Sequence, residues 1–480
     1  MHRILLAIKS YLIMNAKKSF LIIGATLLSI CSKAQVIVSQ SLDQAIRSGL
    51  KKNETLKQKE IEQEKLALER KDVLQKYIPR VEASGAYLYT DSNTKMELET
   101  QHLPLLKLPL FNTIFNTTKH SESYGNVMMG GVTAKMVLFS GLQIPYGAKA
   151  LESKRIGTEY LGKIVADELI QEIVTSFDQI KVLEAIQKLI DDSTKRLENE
   201  AKRVEKGIEQ GLAIPFDRDK IKLAQLELAS KQAELDGNKS LIYKKINYLT
   251  GLDSAQIESV VNDFEPFIMI DNTNLSIENK HEIKALQSFI EAQEWLLKKE
   301  KGSFLPQMMA MGGVRYTSLF DANLDLGMSP LTKKHIHIGV NEITFSPTWF
   351  VGVGVKWELF GGMSRINKIK QTKLDIATTK SKLTDAHDKL SLLLDKNMVN
   401  YRIANEKMHI NQQKVVVAKN SLDTAIRQYT EGLIDISDRL EVENEYYKVV
   451  IEQIQGIQQQ RQAAMEMLKT TGTLSNYSVQ

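Results

Sequence analysis

Asp438 and Glu441 stand three residues apart in a stretch that holds neither glycine nor proline from Leu433 to Gln455. On a helix that spacing puts both carboxylates on one face. The simpler reading is capping. Asp438 and its counterpart Asp217 both lie just inside a helix, where acids suit the dipole. The other chemistry-bearing residues lead nowhere catalytic. His335 and His337 flank one isoleucine, and a metal site there would need further ligands that the sequence does not place, so they read as polar residues of a surface segment. Val351 to Val355 alternates with glycine, but its spacing is wrong for a dinucleotide turn and no helix follows for about ten residues. No phosphate-binding glycine loop, nucleophile elbow or zinc helix motif occurs. The residues describe no enzyme, no cofactor and no metal centre.

The elements that position the two acids come in duplicate. Val132 to Gly141 reads VTAKMVLFSG and Val353 to Gly362 reads VGVKWELFGG, which places Phe139 and Phe360 221 positions apart. The same offset pairs Gly211-Leu212 with Gly432-Leu433, Asp217-Arg218 with Asp438-Arg439, and Gly251 with Gly472. Ile78-Pro79 matches Leu305-Pro306 at an offset of 227, so the second loop between strands is the shorter one. Two copies of one unit of about 220 residues make a symmetric body. The expected division is a leader over 1–34, a first repeat over 35–260 and a second over 261–480.

Formal net charge is +5, but Met1 to Ala34 holds five basic residues and no acid; without it 58 basic residues stand against 58 acidic ones. A balanced chain has no electrostatic footprint for nucleic acid. Lys17-Lys18, the apolar stretch Phe20 to Ile30 and Ser32-Lys33-Ala34 form a secretory signal, with cleavage expected after Ala34. The alternative makes Cys31 a lipid-anchored first residue, although Ile30 before it is larger than that motif prefers. No run of 18 apolar residues exists, which excludes helices that span a bilayer.

Along the chain, residues 41–78 read as a helix ending at Pro79. Period-two alternation then predicts four strands of about ten residues, at 80–90, 127–139, 307–316 and 350–360. Helices follow each strand pair. Residues 363–431 contain neither glycine nor proline, 69 positions in all, which as a helix is about 105 Å at 1.5 Å per residue. In the fourth strand Val351, Val353, Val355, Trp357 and Leu359 share one face, and Gly352, Gly354, Lys356 and Glu358 the other. An apolar face ending in an aromatic suits lipid, and about ten residues suffice for a tilted strand to cross. Four strands cannot close a barrel, and open edges in lipid leave backbone groups unpaired at several kcal/mol each. The chain must therefore join copies of itself. Its fold class is mainly α with a membrane β-barrel shared between protomers, joined to a barrel of long helices.

At these residues the sequence resembles the TolC-type outer-membrane efflux family. The resemblance rests on the strand ends Phe139, Gly141, Phe360 and Gly362, on the Ile/Leu-Pro strand starts, and on the Gly-Leu turns followed by Asp, all twice and in register. It implies a homotrimer with twelve strands in the outer membrane and a helical tunnel through the periplasm. The tunnel would be the passive exit duct of a tripartite efflux pump or type I secretion system. Shorter helices would stack end to end beside the unbroken ones. A periplasmic adaptor would dock on the turns Gly211, Leu212, Gly432 and Leu433 and link the duct to an inner-membrane transporter. Asp438 and Glu441 resemble paired acids that ring the periplasmic entrance in some members; three copies would bring six carboxylates to a constriction, favouring cations. Tyr429 would help close it, unless it packs in the core. Lys220 stands where the first repeat would need the second acid, so the ring is unequal between halves. The competing reading is a periplasmic coiled-coil adaptor or scaffold, although the lipoyl-type modules of adaptors are missing.

Overall fold

The computed structural model describes residues 39–96, 119–211, 213–262, 264–267, 275–328 and 334–474. The elements run α1 (Gln40–Lys52), α2 (Glu54–Gln75), β1 (Arg80–Met96), β2 (Lys119–Phe139), α3 (Gln143–Glu209), α4 (Pro215–Thr250), α5 (Ser254–Ser259), α6 (His281–Gly302), β3 (Gln307–Met328), β4 (His335–Lys356), α7 (Ser364–Thr430) and α8 (Ile436–Thr471). Helix, two strands, long helix, shorter helix: the order occurs twice. The expected leader, with Ala34 and Cys31, lies outside the described residues.

Two compact units cut across the repeat. One comprises Met1–Lys65, Lys154–Ile290 and Thr378–Gln480; the other comprises Leu66–Ser153 and Glu291–Ala377. Each takes parts from both halves of the sequence.

The first unit is helical. Its largest core joins Leu42 and Ile46 of α1, Ile173 and Phe177 of α3, Ile246 of α4 and Met465 of α8. Within this apolar body sits a buried ion pair between the repeats. Arg461 donates from Nε to Asp178 Oδ2 at 2.9 Å, with side chains 3 % and 1 % exposed, and lies 4.0 Å from the Phe267 ring centroid. Asn262 donates to the other oxygen of Asp178, so the buried carboxylate is satisfied on both sides. Helix ends meet here too. Ser48 and Lys52 of α1 donate to the carbonyls of Thr250 and Asn247 at the end of α4, and Lys280, just before α6, donates to Lys469 O at the end of α8.

The second unit centres on an antiparallel sheet in the order β1-β2-β3-β4. Among the described residues β1 and β4 each keep an unpaired edge. The face that alternation marks as apolar is bare: Trp349, Val351, Val353 and Val355 are 75, 81, 63 and 63 % exposed.

Three expectations need correction. The strands are 17 to 22 residues long, about twice the expected length. Arg80 to Met96 pairs with Lys119 to Lys135 throughout, through Asp91, Ser92, Asn93 and Thr94, a polar run with no apolar alternation in the sequence. Alternation marks only the part of a strand that has an apolar side. The fourth strand also ends at Lys356 rather than at 360. Trp357 instead donates its indole N–H to Phe304 O, and Arg365 donates to Glu358 O, so 357–361 is a hydrogen-bonded joint and Phe360 is 81 % exposed. The helix expected over 41–78 is likewise two, because Asn53 leaves helical backbone (ψ 118°) and its side chain caps the second helix at Leu56 N–H.

Candidate functional site

Both helix-to-helix turns depend on one backbone conformation. Gly211 and Gly432 each have φ +73°, with open space where a Cβ would be. The left-handed conformation, not crowding, therefore calls for glycine at each position. In the first turn Gly211 N–H bonds to Ile208 O and Ala213 N–H to Gly207 O; in the second, Gly432 N–H bonds to Tyr429 O and Leu433 N–H to Gln428 O. Leu433 is 73 % exposed. Leu212 lies outside the described residues.

The helices leaving the turns start differently. In α4, Pro215 is the first helical residue and Asp217 accepts the Ile214 N–H at 3.2 Å. In α8 the cap is Asp435, whose Oδ1 accepts from Asp438 N–H at 2.9 Å. Asp438 thus gives its backbone to the cap and keeps its carboxylate in solvent. Glu441 is also exposed. Among the described residues neither carboxylate takes part in an ion pair or a side-chain hydrogen bond. Glu441 lines an open groove together with Lys220, Leu223, Ser437 and Leu440, so the cation at the equivalent position of the first repeat shares its surroundings. Lys220 itself lies 5.1 Å from the Phe216 ring centroid.

Tyr429 is half-buried against a cluster that joins both hairpins, Leu197, Val204, Ile221 and Ile436. Arg439 lies 5.7 Å from its ring centroid. Burial first, then the nearby Glu200 charge, pushes the hydroxyl pKa upward, so the ring stays neutral and its first task is packing.

Sequence reasoning missed the polar core beneath the exposed acids. Glu443, 2 % exposed, accepts from Arg439 at 2.8 Å, from Arg196 at 2.9 Å and from Tyr447 at 2.7 Å. The Arg439–Glu443 spacing of four was a usable signal. The Arg196 partner, 247 positions away, was not.

At the strand ends, Gly141 (φ +63°) and Gly302 touch backbone to backbone; a Cβ on Gly141 would meet Gly302 O at 2.6 Å. Phe139 ends β2 opposite Met308 after a register shift. Gly362 has φ +67° in open space, so it serves a turn, as Gly141 does, without the close approach.

Residues 273–473 match the family described as outer membrane efflux protein. No curated protein matches the chain. Among solved structures, the CmeC outer membrane channel of Campylobacter jejuni is similar at 15 % identity and a TM-score of 0.66, over 90 % of this chain and 86 % of that one. A membrane protein from Pseudomonas aeruginosa aligns at 12 % identity and 0.68, over 92 % and 95 %. The outer membrane protein VceC of Vibrio cholerae aligns at 11 % identity and 0.65, over 90 % and 96 %. At such identities the likeness speaks for the fold, and it covers nearly the whole chain.

Proposed function

We propose, from the premise that residues 273–473 belong to the outer membrane efflux protein family, that this chain is one protomer of an outer-membrane exit duct. The family is one of passive conduits rather than enzymes. The observation that carries the reading is the four-stranded sheet with unpaired edges and a bare apolar face. Open edges cannot stay unpaired in lipid, and membrane barrels begin at eight strands. Three copies supply twelve. Helices α3 and α7, 67 residues each, are about 100 Å long at 1.5 Å per residue, enough to form a tunnel continuing away from the membrane. The glycine turns then serve as adaptor-facing tips, with Leu433 as an apolar contact. Asp438 and Glu441 form the charged ring of the entrance, in a register that Tyr429 and Ile436 hold by packing.

The test is extraction and conductance. Full-length protein taken from outer membranes in detergent should migrate as a heat-modifiable trimer and conduct ions in planar bilayers. Release by osmotic shock as a soluble monomer that never inserts into lipid would remove the reading and favour a periplasmic scaffold.

A further inference from the structure

We propose that the strand-proximal ends of α3 and α6 form a binding site for the phosphate of an anionic phospholipid, centred on Lys149, Lys298 and Trp295. The site rests on the reading that the sheet lies in a membrane. Lys298 Nζ lies 3.8 Å and Lys149 Nζ 4.4 Å from the Trp295 ring centroid. Tyr146 stacks on the same indole, with centroids 5.8 Å apart and planes 27° apart. One ring thus holds two ammonium groups from two helices. Neither lysine has a carboxylate partner among the described residues. Of the nearby acids, Glu291 accepts the Trp295 N–H, Glu152 pairs with Arg70, Glu300 pairs with Lys299, and Glu294, four residues before Lys298, is not free either.

The surrounding charge is one-sided. Residues 70–80, 143–152, 291–306 and 357–370 hold eleven Lys and Arg against six acids, Asp72, Glu152, Glu291, Glu294, Glu300 and Glu358, in a chain that overall has 63 against 58. At the end of α6 the dipole favours it, since Lys299 and Lys301 lie in that helix's last turn, but at the helix starts it does not. Neither α3 nor α7 has an acid in its first turn, and Arg365 in the first turn of α7 opposes the dipole. The helices after the two turns, α4 and α8, begin with Asp217 and Asp438 as the dipole prefers. The same chain places acids at one set of helix starts and none at the other, which suits an anionic surface at the second set.

The depth fits a headgroup layer. Lys298 and Trp295 lie about one and two turns along α6 from the Gly141–Gly302 contact, or roughly 6–10 Å at 1.5 Å per residue. Each headgroup region is about 5–8 Å thick. Phe304 and Trp357, 45 and 59 % exposed, add aromatic surface at the same joint, where basic and aromatic side chains suit the boundary of a bilayer. Ammonium groups suit phosphate oxygens, and the indole and Tyr146 rings offer apolar surface for the glycerol and first methylenes. A free phosphate ion could use only the first of these.

The test measures lipid affinity of the purified full-length protein in neutral detergent, by native mass spectrometry with titrated short-chain phosphatidylglycerol, phosphatidylcholine of equal chain length, and inorganic phosphate. Phosphatidylglycerol should bind at least about tenfold more tightly than phosphatidylcholine. K149Q/K298Q should abolish that preference, with about a fivefold loss for each lysine, while K149R/K298R keeps it. Heat-modifiable migration reports whether each variant assembles, and if K149Q/K298Q does not, the wild-type comparison of the two lipids decides alone. Equal binding of the two lipids overturns the proposal. So does inorganic phosphate competing at the affinity of phosphatidylglycerol, and so does an intact preference in K149Q/K298Q with altered anion conductance, which would place the lysines on the conduit. Insertion into pure phosphatidylcholine bilayers is the separate control: wild type that inserts and conducts there but ignores phosphatidylglycerol sinks only this site, whereas protein that never inserts sinks the duct.

Discussion

The two helix-to-helix turns share a backbone and differ in their charges. Gly211 and Gly432 have the same φ in the same open space. Yet Asp217 accepts the Ile214 N–H, whereas Asp438 leaves capping to Asp435 and keeps a free carboxylate. Where the first repeat has Lys220, the second has Glu441. What the chain needs in order to reverse direction is present twice. At the equivalent positions of the two following helices, among the described residues, the unpaired acids Asp438 and Glu441 occur in the second only, and nothing in the helix start requires them. A carboxylate that helps fold the hairpin is engaged; one that does not is available for another task.

Glu443 gives the sharpest contrast, since it lies two residues from Glu441 on the same helix. Glu443→Ala would leave Arg439, 3 % exposed, with a buried charge and no carboxylate. The expected loss is about 3–5 kcal/mol, read as a fall in the apparent melting temperature of the detergent-solubilised protein. A change as small as that of Asp438→Ala would erase the distinction between engaged and free acids.

The glycines should behave alike. Gly211→Ala and Gly432→Ala each force an L residue into left-handed backbone, at about 1–2 kcal/mol, with no clash to add. Matching shifts in thermal unfolding confirm a requirement of the backbone; a large effect at one turn alone would mean that the two are not equivalent. Below these comes the cap. Asp435→Ala should cost about 1 kcal/mol, because its carboxylate is the acceptor for the first turn of α8. Asp217→Ala removes only a bond back to the Ile214 N–H and should cost less in the same assay. The reverse order would contradict the assignment of Asp435 as the cap.

The repeat, the four strands and the long helices were legible because each has a period or a punctuation mark: alternation at Val351 to Val355, a 69-residue stretch free of glycine and proline, glycine at each reversal. The outer halves of the strands were not, because Asp91 to Thr94 form a polar run in which no residue type alternates, while the main-chain pairing that continues through them has no sequence signature. The candidate acids were visible by spacing, but the local residue that frees Asp438, Asp435, was passed over although it precedes a helix in plain view. Arg461 with Asp178, 283 positions apart, had no signal at all, since charged residues abound in the helices and only packing brings these two into the core.

The smallest effect on stability should accompany the clearest effect on conduction. Asp438→Asn with Glu441→Gln removes two exposed, unpaired charges, so stability should stay within about ±0.5 kcal/mol of wild type. In planar bilayers the wild-type duct should prefer cations, and the double variant should lose part of that preference. Screening fixes the conditions. With a Debye length of about 30 Å at 0.01 M and about 3 Å at 1 M, the difference should be large in dilute salt and vanish in concentrated salt. Lys220→Gln should move selectivity the other way, because that cation lines the same groove as Glu441. Opposite shifts from the two changes would tie selectivity to the inequality of the turns. Unchanged reversal potentials in dilute salt for both variants would place the selecting charge elsewhere and leave Asp438 and Glu441 as ordinary solvated residues of α8.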